Sequence, residues 1–130
     1  ALAKEIEKQC AKRDKIMPVL VEVNISRETA KSGILLAEVF DFIRACQVFA
    51  HVDVQGLMCV GPHVEEEALI AACFAQMHDC FLALQQEYGV DQIRYLSMGM
   101  SGDYHIALAH GANMIRLGSI LMGERAYAKK

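Results

Sequence analysis

Apolar positions along this chain follow two rhythms that alternate. Residues 2–14 place Leu2, Ile6 and Cys10 four apart among Lys, Glu and Gln, which predicts an amphipathic helix. Pro18 follows, and the valine-rich run 19–25 predicts a strand. After a polar loop over 26–33, residues 34–47 bring Leu35, Leu36, Val39, Phe40, Ile43 and Cys46 onto one helical stripe. A strand over 52–59 runs into Gly61 and Pro62. Glu65, Glu66 and Glu67 then open a long helix, where acids complement the dipole. Its stripe is Leu69, Ile70, Cys73, Phe74, Met77, Cys80, Phe81 and Leu84, and Gly89 ends it. A third strand is expected over 93–98. Ser101 is the expected N-cap of a helix reaching Ala109, with Gly111 beyond it. A fourth strand covers 114–117, and a short helix starts near Ile120.

Strict alternation of strands with long helices predicts an α/β fold with a parallel sheet. In the first strand Val19, Val21 and Val23 share one face, and Leu20, Glu22 and Asn24 share the other. Strands covered by helices on both faces are apolar on both. A mixed face fits the inside of a barrel, where polar groups reach a ligand, and Arg116 gives the fourth strand the same character. No G-x-G-x-x-G follows the first strand, which argues against a dinucleotide-binding unit.

At 130 residues and 54% hydrophobic, the chain suffices for one domain with a real core. A net charge of −3 leaves no electrostatic footprint for nucleic acid. None of the five cysteines forms a C-x-x-C pair, so they read as reduced thiols in a cytosolic protein. No run is expected to span a bilayer. The first residues read as the middle of a helix, so an upstream segment is expected to have been removed.

The chemistry concentrates where two strands end in small and hydroxyl residues. Ser97-Met98-Gly99-Met100-Ser101-Gly102-Asp103 is one such end, and Arg116-Leu117-Gly118-Ser119 is the other. Glycine lets backbone approach a ligand, and hydroxyls with N–H groups bind anions. Side by side, the two ends make a phosphate cradle. On the residues alone they are equally two ordinary strand-to-helix turns. Cys73, Met77 and Cys80 have the spacing of soft-metal ligands, but Phe74 and Phe81 on the same stripe favour core packing. His63 follows a strand end, where it either reaches a site or stands as a solvated loop histidine.

Val23-Asn24-Ile25 followed by Lys31-Ser32-Gly33, then Gln55-Gly56-Leu57-Met58, the segment from Leu96 to Tyr104, and Ile115 to Ser119 with Gly123 occur in this order. The set closely resembles the YggS/PROSC family of pyridoxal phosphate homeostasis proteins over nearly the whole chain. The resemblance implies a (β/α)8 barrel of the alanine racemase N-terminal type that binds pyridoxal 5′-phosphate without established turnover. Such a protein keeps free cofactor low in the cytoplasm and supplies it to apo-enzymes. The four strands here correspond to strands five to eight. A whole barrel needs roughly 200 or more residues, so residues 1–130 form a partial barrel, its C-terminal half.

The resemblance also assigns roles. Met98, Gly99 and Ser101, with Gly118 and Ser119, form the phosphate site. Arg116 faces the pyridine nitrogen, or pairs with Glu22 inside the barrel, and the two roles are compatible. Asn24 contacts the cofactor, braces the phosphate loop or caps its strand. Met58 and Met98 line the pocket or pack the interior. The family's Schiff-base lysine sits on the first strand of the whole barrel and has no counterpart here. The lysines present are Lys4, Lys8, Lys12, Lys15, Lys31, Lys129 and Lys130, and Lys31 is the best placed to meet an aldehyde. Two rivals remain: an enzyme of the racemase barrel type, and a half-barrel that self-associates or pairs with the absent N-terminal half.

Overall fold

The computed structural model describes residues 2–26 and 32–118. Its elements alternate as the apolar rhythm predicts. They are α1 (Leu2–Arg13), β1 (Met17–Glu22), a 3₁₀ turn (Leu36–Glu38), α2 (Val39–Cys46), β2 (Val52–Met58), α3 (Glu67–Tyr88), β3 (Tyr95–Met100), α4 (Tyr104–Ala109) and β4 (Met114–Arg116). The strands form one parallel sheet in the order β1-β2-β3-β4.

Register divides the sheet into two faces. Val21, Leu57 and Leu96 lie side by side in one row, each at most 5% exposed. This row packs on Val39, Ile43 and Cys46 of α2 and on Ile70, Phe74, Met77, Phe81 and Leu84 of α3. The next row, one residue along, is Glu22, Met58, Ser97 and Met114. Alternation turns that row away from the helices, so the mixed face expected from the sequence is real and carries the polar groups.

Several boundaries differ from expectation. The first strand ends at Glu22, because Ile34 crosses beside it: Asn24 N–H donates to Ile34 O (2.7 Å) and Ile34 N–H to Glu22 O (3.0 Å). That crossing takes Ile34 and Leu35 out of the second helix, whose first turn is the 3₁₀ segment; Leu35 is 46% exposed. The third strand begins at Tyr95 and continues to Met100, which pairs with Arg116. The helix expected near Ile120 lies outside the described residues.

One expectation needs correcting. The 22-residue α3, with a mean hydropathy of 1.3 over its most apolar stretch, is long and apolar enough to cross a membrane. Its five buried apolar side chains are used against the sheet, while Glu67, Asp79 and Glu87 interrupt its outer face. This is the pattern of a helix covering a sheet. Burial pushes the Cys80 thiol on this helix up to about 11, so it packs as a small hydrophobe rather than reacting as a thiolate.

At the opposite end from the glycine-rich turns, α1 is tied to the sheet by Glu7. Its Oε1 accepts the His51 backbone N–H at 2.7 Å, and its Oε2 lies 2.6 Å from His51 Nδ1. The backbone hydrogen bond, foremost, holds the Glu7 carboxyl below its ordinary value. A carboxylate with a depressed native pKa stabilises fully above its unfolded value, and that stability is lost as pH falls through the native one. We expect Glu7→Gln to lower the melting temperature at neutral pH, and the gap to wild type to close as pH falls below the carboxylate range. A gap independent of pH in melts from neutral to acid would refute the assignment.

Candidate functional site

The C-terminal ends of β2, β3 and β4 surround a cleft of about 390 Å³. Gly61, Pro62 and His63 line it from beyond β2, Met100 to Asp103 from β3, and Arg116 and Gly118 from β4. The chain thus brings Ser101, Arg116 and Gly118 of the expected cradle together. No side chain has to move to make room at Gly102 or Gly118: a Cβ built at either meets nothing within 4 Å.

The loop after β3 is shaped by Asp103. Its Oδ1 accepts the Met100 N–H at 2.8 Å, and its carbonyl accepts from Ile106 and Ala107 (3.0 and 3.1 Å). Asp103, not Ser101, therefore occupies the N-cap position of α4. The correction frees Ser101 from the capping role and leaves it on the wall of the cleft. Gly99 serves a different neighbour from the one expected. At φ +105, a Cβ there would lie 2.8 Å from Ala107 Cβ and 3.2 Å from Ile115 Cγ2. The glycine lets α4 settle onto the strand and turns the chain into the loop. Met98 is 0% exposed in the helix-facing core with Leu96, so its side chain does not line the cleft. Met58 sits half-buried in the row of Glu22 and Ser97.

Arg116 is the centre of the site. Its Nη1 donates to Ser97 Oγ and its Nη2 to the Cys59 carbonyl, both at 2.8 Å. The guanidinium reaches from β4 across β3 to the end of β2. Glu22, the alternative partner, instead accepts from the Ser32 hydroxyl at 3.0 Å. Asn24 stands at the same end of the sheet but at its other edge, where its Oδ1 accepts from Ser26 Oγ at 3.4 Å; it does not line the cleft. Ser119, Gly123 and Lys31 lie outside the described residues. Ser97 stood in the segment singled out from the sequence but was given no role of its own, and the Cys59 carbonyl was not anticipated. The usable signal for Ser97 was a lone hydroxyl in an apolar strand; a backbone carbonyl leaves none.

The family model described as alanine racemase, N-terminal domain, matches residues 1–126. A protein of Aquifex aeolicus (strain VF5) named pyridoxal phosphate homeostasis protein is 35% identical over 126 residues, 97% of this chain and 55% of its own length. The crystal structure of an unknown protein from Bifidobacterium adolescentis matches with a TM-score of 0.83 at 33% identity, covering 89% of this chain and 47% of that one. PipY of Synechococcus elongatus PCC7942, solved with PLP bound, matches with a TM-score of 0.75 at 26% identity, covering 89% and 53%. The chain spans about half the length of these relatives. The family model spans nearly the whole chain and the parallel sheet matches solved relatives: the chain belongs to the alanine racemase N-terminal domain family.

Proposed function

We propose that this chain is strands five to eight of a (β/α)8 barrel and carries the phosphate end of a pyridoxal 5′-phosphate site. The whole protein would be a non-catalytic, cytosolic carrier that buffers the cofactor and hands it to apo-enzymes. The observation that carries the reading is the pinned Arg116 guanidinium in a cleft with Ser101, Gly102 and Gly118, at the carboxyl ends of the last two parallel strands. Barrels commonly hold phosphate there, on the loops after strands seven and eight. Relatives that carry the homeostasis name support the function. The sequential strand order supports the half-barrel, as does an apolar groove of about 500 Å³ where α1 meets β1, the outer strand. The first four strands of a full barrel would cover that groove; a second copy is the alternative cover.

The residues present suit the group. The cleft volume lies within the range of small-ligand sites, ~300–1,000 Å³. Gly102 and Gly118 leave their backbone open to an anion. When bound, pyridoxal phosphate supplies a reactive aldehyde on an electron-withdrawing ring. Arg116, a permanent cation, disfavours a proton on a ring nitrogen placed beside it. That makes the ring a poorer electron sink, which suits storage better than carbanion chemistry. No lysine lines the cleft among the described residues; Lys4, Lys8 and Lys12 stand exposed on α1. Covalent attachment stays with the first strand of the whole barrel, as the family resemblance implies.

Hydrogen exchange tests the reading. Pyridoxal phosphate and inorganic phosphate should both slow the amides of 99–103 and 116–118. Borohydride reduction should leave no stoichiometric lysine adduct on this chain. Absence of protection by either ligand overturns the site, and one stoichiometric adduct, at Lys31 for instance, overturns the placement of the lysine.

A further inference from the structure

We propose that Ser97 is the positioning residue of the site: its hydroxyl, with the Cys59 carbonyl, locks the Arg116 guanidinium in the plane from which it meets the ring of the ligand. This role presupposes the pyridoxal phosphate site proposed above.

Ser97 is 2% exposed and is the buried polar residue of the described core. Its strand neighbours Leu96 and Met98 are 0% exposed. Across the sheet its row partners are Met58 and Met114. A hydroxyl in such surroundings is unfavourable unless hydrogen-bonded, and the hydrogen bond it has is from Arg116 Nη1 at 2.8 Å. A guanidinium carries five N–H donors in one rigid plane. Ser97 engages one terminal nitrogen and the Cys59 carbonyl engages the other. One acceptor stands on β3 and the other just past the end of β2, so together they fix the plane and stop rotation at the end of the side chain. The remaining N–H groups belong to a side chain that lines the cleft, and they inherit that fixed direction.

Fixing the direction of a flexible cation beforehand removes the ordering cost from binding. The benefit falls on a ligand whose partner atom is directional. A ring nitrogen in one orientation is such a partner. A free phosphate, which accepts from any side, gains little from it. Ser97 therefore sets preference for the cofactor over its phosphate alone.

The test uses this chain with Ser97→Ala and the shape-matched pair Ser97→Thr and Ser97→Val. NMR of the Arg116 guanidinium in the ligand-free chain should show slow terminal N–H rotation in wild type and Ser97→Thr. Rotation should be fast in Ser97→Ala and Ser97→Val. The affinity ratio of pyridoxal phosphate to inorganic phosphate should fall by up to about tenfold in the Ala and Val variants, the ordering cost of one long side chain, and recover in Thr. Unchanged rotation in Ser97→Ala overturns the lock. Equal loss of both ligands in folded Ser97→Ala reduces Ser97 to a packing residue and overturns the positioning role. Failure of the wild-type chain to prefer pyridoxal phosphate over phosphate refutes the site itself. That outcome is visible before any variant is made, and it takes the positioning role with it even if the NMR lock persists.

Discussion

A Gly56→Ala chain should be destabilised by about 3 kcal/mol or more, enough to remove a large part of a domain's typical margin. Gly56 lies in the middle of β2, paired with Leu20 on one side and Tyr95 on the other. A Cβ there would stand 1.9 Å from the Tyr95 carbonyl oxygen, 2.8 Å from its carbon and 2.9 Å from its nitrogen. All three are backbone atoms, so no side chain can rotate out of the way. The strands must part or slide, and either movement breaks the ladder that holds Arg94 N–H on Gln55 O at 2.7 Å. A one-residue slide would also turn Leu57 and Leu96 from the core to the other face. Gly102→Ala is the matched control, since a Cβ there meets nothing within 4 Å; it should stay within about 0.5 kcal/mol of wild type. Urea unfolding followed by circular dichroism measures both. Equal stabilities for the two variants would show that β2 and β3 do not approach as described.

Much of the architecture was legible because it depends on local period. The stripe from Ile70 to Leu84 and the alternation of Val19, Val21 and Val23 each declare a buried face without reference to the rest of the chain. What escaped depends on partners far away in sequence. Ser101 has the chemistry of a cap as much as Asp103 does; which one caps depends on the bend at Gly99, set by how closely Ala107 packs. Met98 and Ser97 are neighbours, and only the pairing with β2 and β4 shows that the methionine faces the helices and the serine faces the site. Arg116 stood out as a cation in an apolar strand. Its acceptor at Cys59 is 57 residues away and is a carbonyl, which any residue type could have supplied. The cradle residues were readable as small and polar, whereas the geometry that aims them was not.

Replacing Arg116 should have the largest functional effect, and Arg116→Met isolates it by keeping the length of the side chain while removing the charge and the fork. Two consequences follow from separate physics. The Ser97 hydroxyl and the Cys59 carbonyl lose a charged donor, and leaving the buried Ser97 hydroxyl unpaired costs about 1–3 kcal/mol. The cleft loses the cation that lines it; the loss of one charged hydrogen bond of up to ~3 kcal/mol corresponds to roughly 100-fold weaker binding of pyridoxal phosphate. Arg116→Lys should recover little of either. A single ammonium cannot hold both acceptors in one plane, so the charge returns without its direction. The ring nitrogen reports the same point independently. In ¹⁵N spectra of bound ligand it should take up a proton at higher pH in Arg116→Met than in wild type, because the neighbouring positive charge that opposes protonation is gone. Calorimetric titration of the wild-type chain against the two variants decides the matter. Affinity in Arg116→Met within a factor of two or three of wild type would mean that Arg116 ties the strand ends together and does not meet the ligand.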